Sequence, residues 1–258
     1  MWMAARGEKI ILDDGTFRWG LAVGLLFSAE FLLIYWGLEF TSASRSVLFL
    51  YTMPFFTAVG AHWLIHGESL GKVQIAGLCC AFLGIVIAFS DSMGQRQHSM
   101  IIGDLMLLVA AVFWAAATIL VKASPLAGIR ASCVLLYQLV VSAIVLPVGA
   151  VLLGQAEITH ATPLIWGCLA YQTIWVAFIT YLAWFWLIRN YPASKLSAFL
   201  FLTPLFGVME SVLLIGDQVS YRLAAALALV CIGIYSVNRY GGRSRAESVT
   251  LPSPVDEP

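Results

Sequence analysis

Two acidic residues stand where acids are costly. Glu30 lies within LLFSAEFLLIYWG and Glu210 within LFGVMESVLLIG, flanked on both sides by apolar residues. A charge near the centre of a bilayer costs about 2.5–3.5 kcal/mol even on insertion scales. A carboxyl kept there can take a proton or a cationic substrate group; the plainer reading is a protonated acid bonded to a neighbouring helix. Uncharged polar and aromatic residues occupy similar surroundings: Tyr51, Thr52, Trp114, Thr118, Tyr137, Gln138, Tyr171, Gln172, Trp175 and Thr203. Aromatic rings can grip an apolar side chain or a cation. The candidate substrate-binding set is Glu30, Tyr51, Trp114, Tyr137, Gln138, Gln172, Trp175 and Glu210. Taken singly, each of the uncharged residues is more simply a packing or interhelical bonding residue.

Pro54 and Pro204 each remove a backbone donor in mid-helix and free a carbonyl, so they are candidate hinges beside a cavity, or plain kinks. Glu68 and Asp217 sit in turns and are expected to cap the helix that follows each. Asp104 is expected to open a helix and stabilise its N-terminal dipole. His62 and His66 have a four-residue spacing that can bind metal, but no third ligand lies near, so no metal site is expected. The four histidines are scattered and no nucleophile–base set is evident, so no catalytic residue is expected, nor any cofactor. The five cysteines all fall inside apolar runs without ligand spacing and do not form a disulfide framework.

The elements that must position these residues follow from composition. Hydrophobic residues make up 61% of the chain and charged ones 11%, where soluble domains carry roughly 25% charged. That excludes an ordinary soluble globular domain and a disordered chain, and a net charge of zero suggests no nucleic-acid partner. A spanning helix needs about 20 mostly apolar residues. Eight runs qualify, near 19–38, 44–65, 72–90, 101–121, 131–153, 164–188, 195–215 and 221–238. They are too long and too uniformly apolar for barrel strands, so the fold class is an all-α integral membrane bundle of about eight transmembrane helices. Residues 1–18 are charged throughout and lack the apolar centre of a cleavable signal peptide. Residues 241–258 are polar with three prolines and are expected to be a disordered tail.

The chain also repeats itself. Ala43-Ser44-Arg45, Phe49 and Pro54 match Ala193-Ser194-Lys195, Phe199 and Pro204 at an offset of 150. After one deletion, Gly67-Glu68 matches Gly216-Asp217 and Gly84 matches Gly233 at an offset of 149. The second run therefore pairs with the seventh, the third with the eighth, and the first with the sixth. Partners five helices apart cross the membrane in opposite senses. The two copies are expected to be inverted, a layout common among secondary transporters. With the N-terminus in the cytoplasm, eleven Lys and Arg fall on the cytoplasmic side and Arg45, Arg96 and Arg222 on the outer side, so both termini are expected to be cytoplasmic.

In these residues the chain resembles the EamA-type carriers of the drug/metabolite transporter superfamily. The resemblance rests on Ala43-Ser44-Arg45 with Pro54, Gly67-Glu68, Gly77 and Gly84. In the second half it rests on Gly103-Asp104, Trp114, Pro192-Ala193-Ser194-Lys195, Pro204, Gly216-Asp217 and Gly233. It implies ten helices in two five-helix inverted repeats, of which the first two would be missing here. Residues 1–91 would be a truncated first repeat of three helices, and 101–240 the second repeat of five. Either the start codon is placed too late, which is favoured, or the protein is an eight-helix form. Asp217 stands where a glutamate is commoner, and Ala226 where a glycine is expected opposite Gly77.

The function so implied is secondary transport, in the export direction, of small metabolites such as amino acids across the cell (inner) membrane by alternating access. The partners are a small-molecule substrate, a coupling proton, the lipid bilayer and a second copy in a homodimer. The alternatives are an inactive or scaffold-like fragment of such a carrier and an intramembrane enzyme.

Overall fold

In the computed structural model, residues 15–41, 43–66, 68, 70–88, 90, 98–154, 162–203, 205–206 and 221–240 are described. Pro204, Glu210, Asp217 and the 241–258 tail lie outside them. The described secondary structure is helical throughout. In order it comprises α1 (Phe17–Gly37), α2 (Ala43–Leu50), α3 (Met53–Leu64), α4 (Lys72–Ala88) and α5 (His98–Ala123), then a 3-10 turn (Pro125–Gly128) and α6 (Ala131–Leu152). There follow α7 (Pro163–Tyr171), a π-helical stretch (Gln172–Thr180), α8 (Tyr181–Asn190), α9 (Ala193–Phe199) with a 3-10 turn (Leu200–Leu202), and α10 (Tyr221–Tyr240).

Five segments are long and apolar enough to cross a membrane: Phe17–Gly37, Arg45–Leu64, Met100–Ala123, Ala131–Leu152 and Pro163–Asn190. Lys72–Ile87, Ala193–Leu202 and Ala228–Arg239 are shorter apolar helices. Each of the eight runs read from the sequence has helix in its described part; the seventh, 195–215, is described only as far as residue 206.

Two runs are not uniform helices. The second breaks at Tyr51-Thr52, between α2 and α3. Pro54 has no N–H, and its ring would meet the carbonyl of Leu50 in a continuous helix. It sits instead in the first turn of α3, where the missing donor costs nothing. Tight bonds bridge the break, from Thr52 N to Phe49 O (3.1 Å), Phe55 N to Thr52 O (3.0 Å) and Thr52 Oγ1 to Phe49 O (2.6 Å). The sixth run is continuous over 28 residues but passes through the π register in its middle. No residue in α7 or in the π stretch is buried.

Two glycine-lined seams hold the bundle together. Between α1 and α5, a Cβ added at Gly103 would lie 2.7 Å from the Gly37 carbonyl oxygen. Between α4 and α10, a Cβ at Gly77 would lie 2.8 Å from Gly233 O, and one at Gly84 would lie 2.8 Å from Ala226 O. Such approaches are open only to residues without a Cβ. The order of these contacts makes α4 and α10 antiparallel. At the repeat offset of 149, Gly77 corresponds to Ala226 and Gly84 to Gly233. The contacts Gly77–Gly233 and Gly84–Ala226 therefore exchange with one another when the copies are swapped.

Candidate functional site

Glu30 sits in the second half of α1 and is 3% exposed. Its carboxyl makes no hydrogen bond or ion pair with a described residue. Rings surround its helical position. Phe27 lies tilted against Phe31 with ring centroids 4.7 Å apart and meets Tyr181 of α8 edge-on at 5.3 Å. Phe31 lies 5.9 Å from Tyr35, and Tyr181 lies 6.4 Å from Phe185. Tyr181 is within the electrostatic field of both Glu30 and Tyr35. The enclosure continues inward, because Trp184 on α8 packs both on the α6–α8 cluster of Val134, Leu135 and Phe185 and on a second cluster of Met53, Ala111 and Ala115. Trp114 packs on that second cluster beside Trp184, Phe56 and Leu200. Tyr181, beside Glu30, and Trp114 thus belong to clusters joined through Trp184, whereas Tyr51 packs on the α4–α10 cluster and bonds Thr203.

The other candidates lie elsewhere. Tyr137 Oη is 3.2 Å from Thr16 Oγ1 near the start of α1, and its ring meets Phe17. Gln138 is 2% exposed and its Oε1 has no partner among the described residues. On the same face of α6, Ser142 donates to the Gln138 carbonyl (2.6 Å) and accepts from Ser28 (3.3 Å). Gln172 and Trp175 are in the exposed π stretch, Trp175 at 54%, and no described contact joins them to the Glu30 enclosure. Phe27, Phe31, Tyr181 and Trp184 were not singled out from the sequence. A signal existed: Phe31 corresponds to Tyr181 at the repeat offset, so both copies place an aromatic there.

Two ionic clamps stand at opposite ends of α3 and α5. At one end Asp104 accepts from Thr41 Oγ1 (2.8 Å) and Arg45 Nε (3.3 Å), and Arg45 closes a second bond to it. The helix already begins at His98, so Asp104 is not the opening residue the sequence suggested; it anchors α1 and α2 to α5. At the other end Glu68 does not cap the helix after it, as expected. It caps α9, far along the chain. Glu68 accepts from Ala193 N (2.8 Å), Ser194 N (3.1 Å) and Ser194 Oγ (2.9 Å), and pairs with Lys122 Nζ (3.1 Å). Lys122 also donates to the Tyr191 carbonyl. The reason is electrostatic: the first backbone N–H groups of a helix attract a carboxylate wherever it comes from. Burial pushes the Glu68 carboxyl up. The bonds from Ala193 and Ser194 and the Lys122 ammonium outweigh that and hold it below the usual carboxylate value.

Helices long and apolar enough to span a bilayer, packed through close glycine seams, define a multi-pass membrane protein. The family model described as "EamA-like transporter family" matches residues 1–90 and 101–239, so the chain belongs to the EamA-like transporter family. Its members are transporters, not enzymes. Over 232 residues the chain is 26% identical to the uncharacterized transporter YoaV of Bacillus subtilis, covering 88% of this chain and 78% of that one. It is also 26% identical over 238 residues to a probable amino-acid metabolite efflux pump of Escherichia coli K12, covering 87% and 77%. A solved crystal structure aligns over 92% of this chain and 82% of its own, with a TM-score of 0.78 and 19% identity, which shows the fold.

Proposed function

We propose that the protein is a secondary exporter of small metabolites of the amino-acid type, working by alternating access in the cell membrane with both termini cytoplasmic. The observation that carries this reading is Glu30. It is buried, carries no partner among the described residues, and lies in the field of Tyr181, whose ring meets Phe27 one turn before it. An uncompensated carboxylate is costly in such a place, so Glu30 holds either a proton or the cationic group of a substrate. Competition between the two couples export to proton entry. The rings and Trp114 supply the apolar and cation-π surface that holds the rest of the substrate.

The inverted repeat is supported by the α4–α10 seam, whose two contacts exchange when the copies are swapped. The division into repeats at 1–91 and 101–240 rests on the same offset. The amino-acid class and the outward direction are supported by the likeness to the Escherichia coli efflux pump. Vesicle transport with labelled amino acids and an imposed proton gradient tests the reading. Proton-driven flux in the parent and its loss in Glu30→Gln are expected. Equal flux in the two removes Glu30 from the mechanism.

A further inference from the structure

We infer that Glu68 is the latch of a gate closing the Glu68 end of the transport path; this rests on the alternating-access reading above. Glu68 follows α3, whereas the elements it holds are the end of α5 and the start of α9. One carboxylate therefore ties three helix ends together across 125 residues of chain. Its position suits a contact that is made and broken. The carboxylate lies beyond the spanning segments and Lys122 in the last turn of α5, with 9% and 17% of their side chains exposed. When parted, each can return to water, which replaces the lost bonds. The α4–α10 seam has no such alternative, because it joins close backbone approaches to packed apolar side chains.

The latch is also coupled to the interior. α9 is short, and three residues of 3-10 turn lead from it to Thr203, which bonds Tyr51. Release of the α9 start is passed along this short lever to the Tyr51–Thr203 contact. Directly behind the latch, about one helical turn inward, Thr118 of α5 and Ser197 of α9 are polar and buried. They are the first residues that water would reach if the latch opened.

The test uses Ser197→Cys in the full chain. Its labelling by a charged, membrane-impermeant maleimide is read by site-resolved mass spectrometry with reagent applied to each face of oriented vesicles. Adding Glu68→Gln is expected to raise labelling from the Glu68 face about tenfold and leave the opposite face unchanged. Lys122→Met, which keeps the α9 cap, is expected to raise it about threefold. Thermal unfolding of each variant accompanies the labelling. Unchanged labelling in Glu68→Gln makes Glu68 a fixed cap and overturns the proposal. So does an equal rise from both faces with a collapsed melting transition, which is loss of fold. Labelling needs no substrate, so this outcome stands apart from the Glu30→Gln transport result.

Discussion

Glu30 and Glu68 are both shielded carboxyls, and their surroundings treat them in opposite ways. Glu68 lies at a helix end and is saturated, with two backbone N–H groups, a hydroxyl and an ammonium directed at it. Glu30 lies inside α1 among rings and has no described partner. A saturated carboxylate can act only through the helix ends it joins. One without protein partners has its interactions open to a proton or a ligand. Burial alone does not separate these two situations; the partners do.

The sharpest way to break this contrast is to neutralise each acid in turn. Glu30→Gln is expected to cut proton-driven flux at least tenfold, a loss of about 1.4 kcal/mol or more, while the melting temperature stays level or rises. Glu68→Gln is expected to lower the melting temperature by roughly 3–10 °C, since hydrogen bonds to a charged group contribute about 1.5–3 kcal/mol. Thermal unfolding in detergent beside vesicle flux reads both, and a reversed pattern would sink the distinction.

Acid sharpens the contrast further. The folded protein holds the Glu68 carboxyl below its ordinary value. The clamp's contribution to stability is therefore whole above the ordinary carboxylate value. It fades as pH falls and is gone once pH drops through the folded value. Melting curves taken down a pH series should show an acid-side loss in the parent that Glu68→Gln flattens.

Two smaller effects complete the series. Tyr181→Phe removes a hydroxyl lying in the field of Glu30, and is expected to reduce flux roughly threefold with little change in melting. Gln138→Met replaces a buried amide whose Oε1 is already unpaired, so stability is expected to change by less than about 1 kcal/mol. A fall in flux with unchanged melting would place Gln138 beside Glu30 as a residue that meets substrate.

Among the described residues, hydropathy placed a helix within each apolar run, because a spanning run must be long and apolar whatever it packs against. The break at Tyr51-Thr52 was half legible. Pro54 marked the place, but only the folded chain shows the proline seated in a first turn rather than in mid-helix. The π stretch was not legible, since none of its residues has a side chain that demands that register. Glu30 was legible as an acid in an apolar run. Its aromatic enclosure was not, because Tyr181 reaches it from 151 positions further along the chain. Glu68 was read as a cap for the wrong helix for the same reason: local rules propose the nearest N-terminus, and folding supplied a distant one.

The α4–α10 seam carries a mechanical consequence. At Gly77–Gly233 and Gly84–Ala226 backbone meets backbone, and the side chains of Ser236, Val237, Leu229 and Val230 close in on the same glycines. Most helix pairs mesh like gears, and turning one against the other forces many rotamers to change. This pair meshes as well, through Leu78, Ala81, Ile85, Val230, Ile234 and Val237. With backbone and side chains both engaged, α4 and α10 are expected to behave as one rigid strut of the bundle.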